Sequence, residues 1–257
     1  MNSAERITSR SNPLVARVKR LRDKRSARRE EGVFLGEGPK LLAEALQWGA
    51  PLETVICAAG TDLPVLPEEV RLVEVPEQLL DVMADTKTPQ GVLFLARQNS
   101  TPLPEHPEGC RYLILDGVQD PGNVGTIWRT ADAFCADGLI LCNGCADPWS
   151  PKTVRSTMGA AFRLPVYEET LESAAGKLAG AGIPLYATAL GLVCSDVRQA
   201  DFSRCAVVIG SEGRGISQQA LELCSVRLRI PMSPRCESLN AASAATVVLW
   251  EMNRDRL

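Results

Sequence analysis

The sequence predicts an α/β protein with a mostly parallel sheet, divided into two domains. Three observations predict it. Short apolar, β-rich runs alternate with helix-like segments along most of the chain, the pattern of strands covered by helices on both faces. The alternation is interrupted at residues 98–109 (QNSTPLPEHPEG), a stretch with three prolines and no periodicity, and it restarts at Tyr112. Late in the chain two β-rich runs, Ala206–Ile209 and Val226–Ile230, each open onto a Gly- or Pro-rich loop, which is where an open α/β sheet holds its ligand. The domains are therefore expected at 1–97 and 110–257, with 98–109 as linker.

In the first domain a turn at Ser11-Asn12-Pro13 leads into one basic helix reaching about residue 31, with Leu14, Val15, Val18 and Leu21 as its apolar stripe. A strand at Val33–Leu35 precedes a helix over Pro39–Trp48, where proline occupies the first turn and Gly49 is the stop. Strands at Val55–Cys57 and Val70–Val75 follow. Pro76 opens a short helix to Met83, and Gly91–Ala96 is β-rich.

In the second domain the strands are expected at Tyr112–Leu115, Gly138–Cys142, Leu164–Tyr167, Leu185–Ala189 and the two late runs. Helices fall between them at Asn123–Phe134, Pro151–Met158 and Glu168–Ala181. The last helix is rich in Ala and Ser, and its first turn carries Ser238, Leu239 and Asn240. Backbone N–H groups at the start of the Asn123 helix are a candidate anion contact.

Composition narrows the chemistry. The chain has 257 residues, 45% hydrophobic, enough for one large core or two modest ones. No apolar run approaches the roughly 18 residues of a membrane span, and the first twenty residues lack an apolar signal core. Nine cysteines, an odd number, argue for reduced thiols and a cytoplasmic setting. Cys142 and Cys145 form a lone CxxC, better read as two small buried hydrophobes than as a metal or redox pair. One histidine, His106, sits between prolines, which argues against His-dependent triads and His-ligated metals, and no metal is expected.

Charge is uneven. Residues 1–40 hold eleven Lys/Arg against five Asp/Glu, a local +6, and the remainder carries −9. Eight basic residues lie between Arg17 and Arg29, Arg17, Lys19, Arg20, Lys24 and Arg25 among them. Such a run is ordinarily a solvated helix face; on an otherwise acidic chain it also suits a polyanion-binding arm. Lys152 and Arg155, on the helix entered at Pro151, are further candidates for phosphate contact.

The glycine-rich turn before Asn123 does not have G-x-G-x-x-G spacing, and the next strand ends at Asn143 rather than at an acid, which argues against a nicotinamide site. Taken together, NVGTIWRTA at 123–131, IGSEGRGI at 209–216 and IPM at 230–232 followed by SLNAASAA at 238–245 closely resemble the three ordered motifs of the SpoU (TrmH-type) RNA 2′-O-ribose methyltransferases of the SPOUT superfamily. The resemblance covers about 112–254. Upstream, SRSNPLVARVKRLRDKR and GVFLGEGPKLLAEAL are similar to the RNA substrate-binding domain that often precedes it.

That resemblance implies a trefoil-knotted catalytic domain acting as a homodimer, with S-adenosylmethionine bound in the knot. It implies cofactor contacts at Gly210, Ile230 and Leu239, with Thr188, Gly213 and Met232 nearby. Arg129 matches the arginine at the reacting ribose, and Asn123, Glu212, Ser238 and Asn240 shape the site. The chain departs from the commoner pattern at Ser233-Pro234-Arg235-Cys236, where a glycine is usual. Arg129 acts either as a base or as a cation that orients the hydroxyl and a nearby phosphate. The implied substrate is structured RNA, ribosomal RNA favoured over transfer RNA; the alternative is a non-catalytic RNA-binding protein on the same fold. The small residues Ala241, Ala242, Ala244 and Ala245 are expected to form a dimer contact.

Overall fold

The computed structural model describes residues 4–99, 101–190 and 194–257. The chain forms two compact units, one of residues 1–99 with 147–162, the other of residues 100–146 with 163–257.

The first unit begins with β1 (Glu5–Arg6), α1 (Pro13–Asp23), α2 (Arg25–Glu31), β2 (Val33–Glu37) and α3 (Pro39–Gln47). It continues with β3 (Leu52–Ala58), β4 (Arg71–Val75), α4 (Glu77–Met83) and β5 (Val92–Arg97). Its sheet runs β1-β4-β3-β5-β2, with β5 antiparallel to both neighbours and the other pairs parallel. The expected stripe of α1, Leu14, Val15, Val18 and Leu21, is buried in the core with Leu35, Ile56, Met83 and Leu93.

The single basic helix is in fact two, broken at Lys24, whose φ of −119° and ψ of 115° are extended. The break has a physical cause. The end of α1 leaves carbonyls without helical partners, and Arg28 Nη1 donates to two of them, Leu21 O at 2.5 Å and Arg22 O at 2.8 Å. The same guanidinium is held by Asp147, with Nη2 at 2.7 Å and Nε at 2.8 Å from Oδ2.

Asp147 introduces the second departure from the sequence reading. Residues 147–162, contiguous in sequence with the second domain, pack in the first unit. Phe34 on β2 lies 4.8 Å from Trp149 and 6.3 Å from Phe162 between ring centroids.

The second unit comprises β6 (Arg111–Asp116), α5 (Pro121–Ala133) and β7 (Gly138–Cys142); α6 (Pro151–Ser156) follows in sequence but belongs to the first unit. Then come β8 (Val166–Glu168), α7 (Leu171–Gly180), β9 (Leu185–Thr188), β10 (Ser195–Asp196), β11 (Cys205–Gly210), α8 (Gln218–Leu223), β12 (Val226–Arg229) and α9 (Ala241–Asn253). The seven strands are ordered β10-β12-β9-β11-β6-β7-β8, and the pairs among the described residues are all parallel. From β6 the chain steps outward through β7 to β8, then continues on the other side from β9, so the order reverses between β6 and β11. That is where an α/β sheet opens a ligand crevice. The linker is anchored: Leu103 is buried beside α7, and its carbonyl accepts from Lys177 Nζ at 2.9 Å.

Two helix starts differ from expectation. α9 begins at Ala241, with Asn240 as its N-cap, so Ser238 and Leu239 precede the helix rather than forming its first turn. The cap is made by Asn240 Oδ1, which accepts from Ala242 N at 2.9 Å and Ser243 N at 3.3 Å. α5 begins at Pro121, and its N-terminus is already occupied by Asp120, whose carboxylate accepts from Asn123 N at 2.9 Å. The anion contact expected there is thus supplied by the chain itself.

Candidate active site

The C-terminal ends of β6, β9, β11 and β12 bring the late loops together. Gly210 at the end of β11 pairs in register with Asp116 at the end of β6. After Gly210 the chain turns tightly, Ser211 and Gly215 exchanging backbone hydrogen bonds at 3.0 and 2.9 Å, with Gly215 at φ +68°. A Cβ on Gly210 would lie 2.2 Å from the Gly215 carbonyl carbon and 2.3 Å from Ile216 N. Only glycine lets the loop fold back onto its own strand there.

The buried carboxylate of Asp116 fixes this loop from below. Its Oδ2 accepts from Ser217 N at 2.7 Å, and Oδ1 accepts from Asn143 Nδ2 at 2.6 Å. Ser217 in turn caps α8 through Ala220 N. From the sequence alone this strand is expected to end at Leu115, and Asp116 is assigned no role. An acid closing an apolar strand just before a glycine was the available signal.

Above the loop lies a cleft of about 410 Å³, within the size range of small-ligand sites. Thr188, Gly210, Gly213, Ile230, Met232 and Leu239, the six residues expected to contact the cofactor, all line it. Its walls are largely apolar and backbone, with Glu212, Glu237 and Arg214 as the charged side chains. Thr188 Oγ1 is used internally, donating to Val208 O at 2.9 Å. Glycine-lined backbone, apolar walls and two carboxylates fit a nucleoside-sized cation such as S-adenosylmethionine.

Beside the cleft three of the expected catalytic side chains meet. Asn123 Nδ2 donates to Glu212 Oε1 at 2.5 Å, and Asn240 Nδ2 donates to Asn123 Oδ1 at 3.3 Å. One amide thereby links the first motif to the second and third. Ser238 lines the cleft and is exposed. Arg129 is exposed on α5, roughly 9 Å along the helix axis from Asn123. It does not line the cleft, and among the described residues it makes no hydrogen bond or ion pair. In the 233–236 segment, where the sequence departs from the commoner glycine, Cys236 N closes a turn on Ser233 O at 2.9 Å.

The other expectations fare unevenly. Ala241, Ala242 and Ala245 are buried inside the chain, where α9 packs on α5 and β11, and Ala244 lines the cleft. The alanine face is therefore consumed within the chain and is not a dimer surface. Much of the basic run is consumed likewise: Arg17 pairs with Glu31 at 2.6 Å and Glu53 at 2.9 Å, and Arg20 pairs with Glu31. Arg25 is half-buried, whereas Lys19 and Lys24 are exposed; Lys19 feels the charge of Asp23, and neither side chain forms a hydrogen bond or ion pair among the described residues. Lys152 is exposed, and Arg155 donates to Asp85 at 3.0 Å.

Cys142 and Cys145 are buried, and the Cys145 thiol donates to Cys142 O at 3.0 Å. Burial pushes Cys145 up to about 11 and raises Cys142 as well, so both stay neutral thiols. Among the described residues no cluster of His, Cys, Asp and Glu is arranged to hold a metal, and no helix is long and apolar enough to cross a membrane.

Comparison with known proteins agrees with this geometry. Residues 111–250 match the SpoU rRNA Methylase family, and residues 12–94 match the MRM3-like substrate binding domain. The chain is 32% identical to the 23S rRNA (guanosine(2553)-2′-O)-methyltransferase RlmP of Bacillus subtilis, over 96% of this chain and 99% of that protein. It is 32% identical to a 23S rRNA (uridine(2479)-2′-O)-methyltransferase of Streptomyces viridochromogenes, over 99% of this chain and 94% of that protein. Among solved structures, the AdoMet-bound rRNA methyltransferase of Sinorhizobium meliloti superposes with a TM-score of 0.88 at 31% identity, covering 99% of each chain. The SpoU methyltransferase AviRb of Streptomyces viridochromogenes, in complex with AdoMet, gives a TM-score of 0.85 at 29% identity, covering 95% of this chain and 98% of that one. Cleft, linking amide and similarity together establish that this chain belongs to the SpoU rRNA methylase family.

Proposed function

We propose that this protein transfers a methyl group from S-adenosylmethionine to a ribose 2′-hydroxyl of ribosomal RNA. The observation that carries the reading is the Asn123–Glu212–Asn240 network beside a cleft built from the late strand-exit loops. A non-catalytic RNA-binding protein would have no need of it.

The residues divide the work. Gly210, Gly213, Ile230, Met232 and Leu239 enclose the cofactor, with Thr188 on the floor. When bound, the sulfonium supplies an already activated methyl group, so the protein's task is mainly positioning. Asn123 holds Glu212 and Asn240 in one arrangement beside the cleft, and Ser238 adds a hydroxyl to its wall. Arg129, whose side chain has no partner among the described residues, is available to the ribose oxygen and its neighbouring phosphate, as a cation that lowers the cost of deprotonating the hydroxyl.

The finer assignments rest on the resemblance: a trefoil knot around the C-terminal loops, a homodimer and a cytoplasmic location. Half-exposed Trp250, edge-on to Phe134 at 5.7 Å, offers an aromatic surface for a dimer in place of the alanine face. Lys19 and Lys24 are the exposed cations of the basic run best placed to meet RNA phosphates, with Arg17, Arg20 and Arg25 more committed to the fold; Lys152 and Arg155 are further candidates on α6.

The test is transfer of tritium-labelled methyl from S-adenosylmethionine to deproteinised ribosomal RNA. Arg129→Ala is expected to keep cofactor affinity by calorimetry while losing transfer. Retained turnover in that variant would remove Arg129 from the chemistry; no transfer by the unsubstituted chain to any ribosomal RNA would sink the function.

A further inference from the structure

The first unit contains a second cleft, of about 640 Å³, that the methyl-transfer site does not use. Three segments of that unit line it: the start of α3, the loop from Thr86 to Gln90, and the end of α6 with Met158. Its volume suits a nucleotide.

The polar groups on its walls are unequal. Lys40 is exposed and has no partner among the described residues. Arg155 gives Nη1 to Asp85 at 3.0 Å, keeps 37% of its side chain exposed and lines the cleft. Of the two acids, Glu37 is held by the chain. Glu37 is buried and accepts from Asp85 N at 3.0 Å, Thr86 N at 3.3 Å and the Thr86 hydroxyl. Glu44 lies against Gly159, where a Cβ would come 2.6 Å from its Oε2. Two cations and two carboxylates therefore line the cleft, and Lys87, on the loop that lines it, is a further exposed cation. The Thr88 hydroxyl and the Gln90 amide are exposed and suited to a base edge or a 2′-hydroxyl.

Met158 supplies the apolar element. It is half-exposed, lines the cleft and has φ +49°, a left-handed conformation uncommon outside glycine. Such backbone strain concentrates where a ligand is held. A polarizable thioether is a favourable surface for an aromatic ring.

We infer that this cleft receives one unpaired nucleotide of the RNA substrate, with its phosphate at Lys40 and Arg155 and its base against Met158. The inference rests on the RNA-methyltransferase reading for the identity of the ligand. It is tested with the full chain and a fluorescein-labelled 23S ribosomal RNA transcript, titrated across a range of salt concentrations. Lys40→Ala is expected to weaken binding and reduce the slope of log affinity against log salt by about one. Met158→Ala, which removes no charge, is expected to weaken binding at unchanged slope. Both variants should unfold at the temperature of the unsubstituted chain, keep its S-adenosylmethionine affinity, and raise KM for RNA with kcat preserved. Transcript binding by both variants indistinguishable from the unsubstituted chain would overturn the inference while leaving the methyltransferase reading intact. If the unsubstituted chain binds transcript but transfers no methyl, the functional reading fails, and the two binding measurements still decide the cleft.

Discussion

The carboxylate of Asp116 and the backbone N–H of Ser217, 101 residues apart in sequence, meet at 2.7 Å beneath the glycine-rich loop. The loop's far end is therefore pinned to the strand that neighbours its near end. Asp116→Ala would leave the Ser217 N–H and the Asn143 amide without their acceptor. The exposed Asn143 amide can turn to water, whereas the part-buried Ser217 N–H loses its acceptor at a cost of up to about 1–3 kcal/mol, so a lower Tm and weaker S-adenosylmethionine binding by calorimetry are expected together. Asp116→Asn keeps one acceptor oxygen and should recover part of both.

Gly210→Ala is expected to abolish cofactor binding measured by equilibrium dialysis. The added carbon would meet main-chain atoms of Gly215 and Ile216 at 2.2 and 2.3 Å, which cannot rotate away as a side chain would. Undiminished binding would show that the loop relaxes at little cost.

Asn240 holds two roles that substitution separates. Its Oδ1 caps α9, and its Nδ2 donates to Asn123. Asn240→Ala should lose the cap, about 1 kcal/mol, and transfer activity as well. Asn240→Asp retains the capping oxygen but not the donor, and it places a carboxylate near Glu212. Recovered Tm with kcat still low is the expected result; recovered kcat would confine Asn240 to its structural role.

Arg111, buried on β6, holds the Asp255 carboxylate down to about 2 through hydrogen bonds of 2.5 and 2.7 Å. The ordinary aspartate value is about 3.9. A folded-state value below the unfolded one gives stability that is present above pH ~4 and lost as pH falls toward 2. Asp255→Asn should therefore lower Tm at pH 7, and thermal melts should show the gap from the unsubstituted chain closing between pH ~4 and ~2. A gap that stays constant with pH would assign the loss to packing rather than charge.

The second unit was readable because strands buried on both faces of a parallel sheet carry uninterrupted apolar runs; Gly138–Cys142 occupies the residues expected of it. The two-residue strands β1 and β10 carry no such pattern and exist only through pairing with β4 and β12. The break at Lys24 was hidden because it depends on Arg28 folding back onto α1 and being held by Asp147, 119 residues away. In the site, glycines and asparagines announced themselves by type and spacing. The work of Asp116 did not, since its partners Ser217 and Asn143 are distant in sequence and one contributes only its main chain.

The burial of Phe34 against Trp149 and Phe162 has a consequence for how this protein can be taken apart. A scission at the proline-rich connector yields a leading fragment stripped of residues 147–162, with an aromatic ring and the Arg28 guanidinium laid open to water. A fragment meant to keep the packing of the first unit therefore has to include residues 147–162 as well.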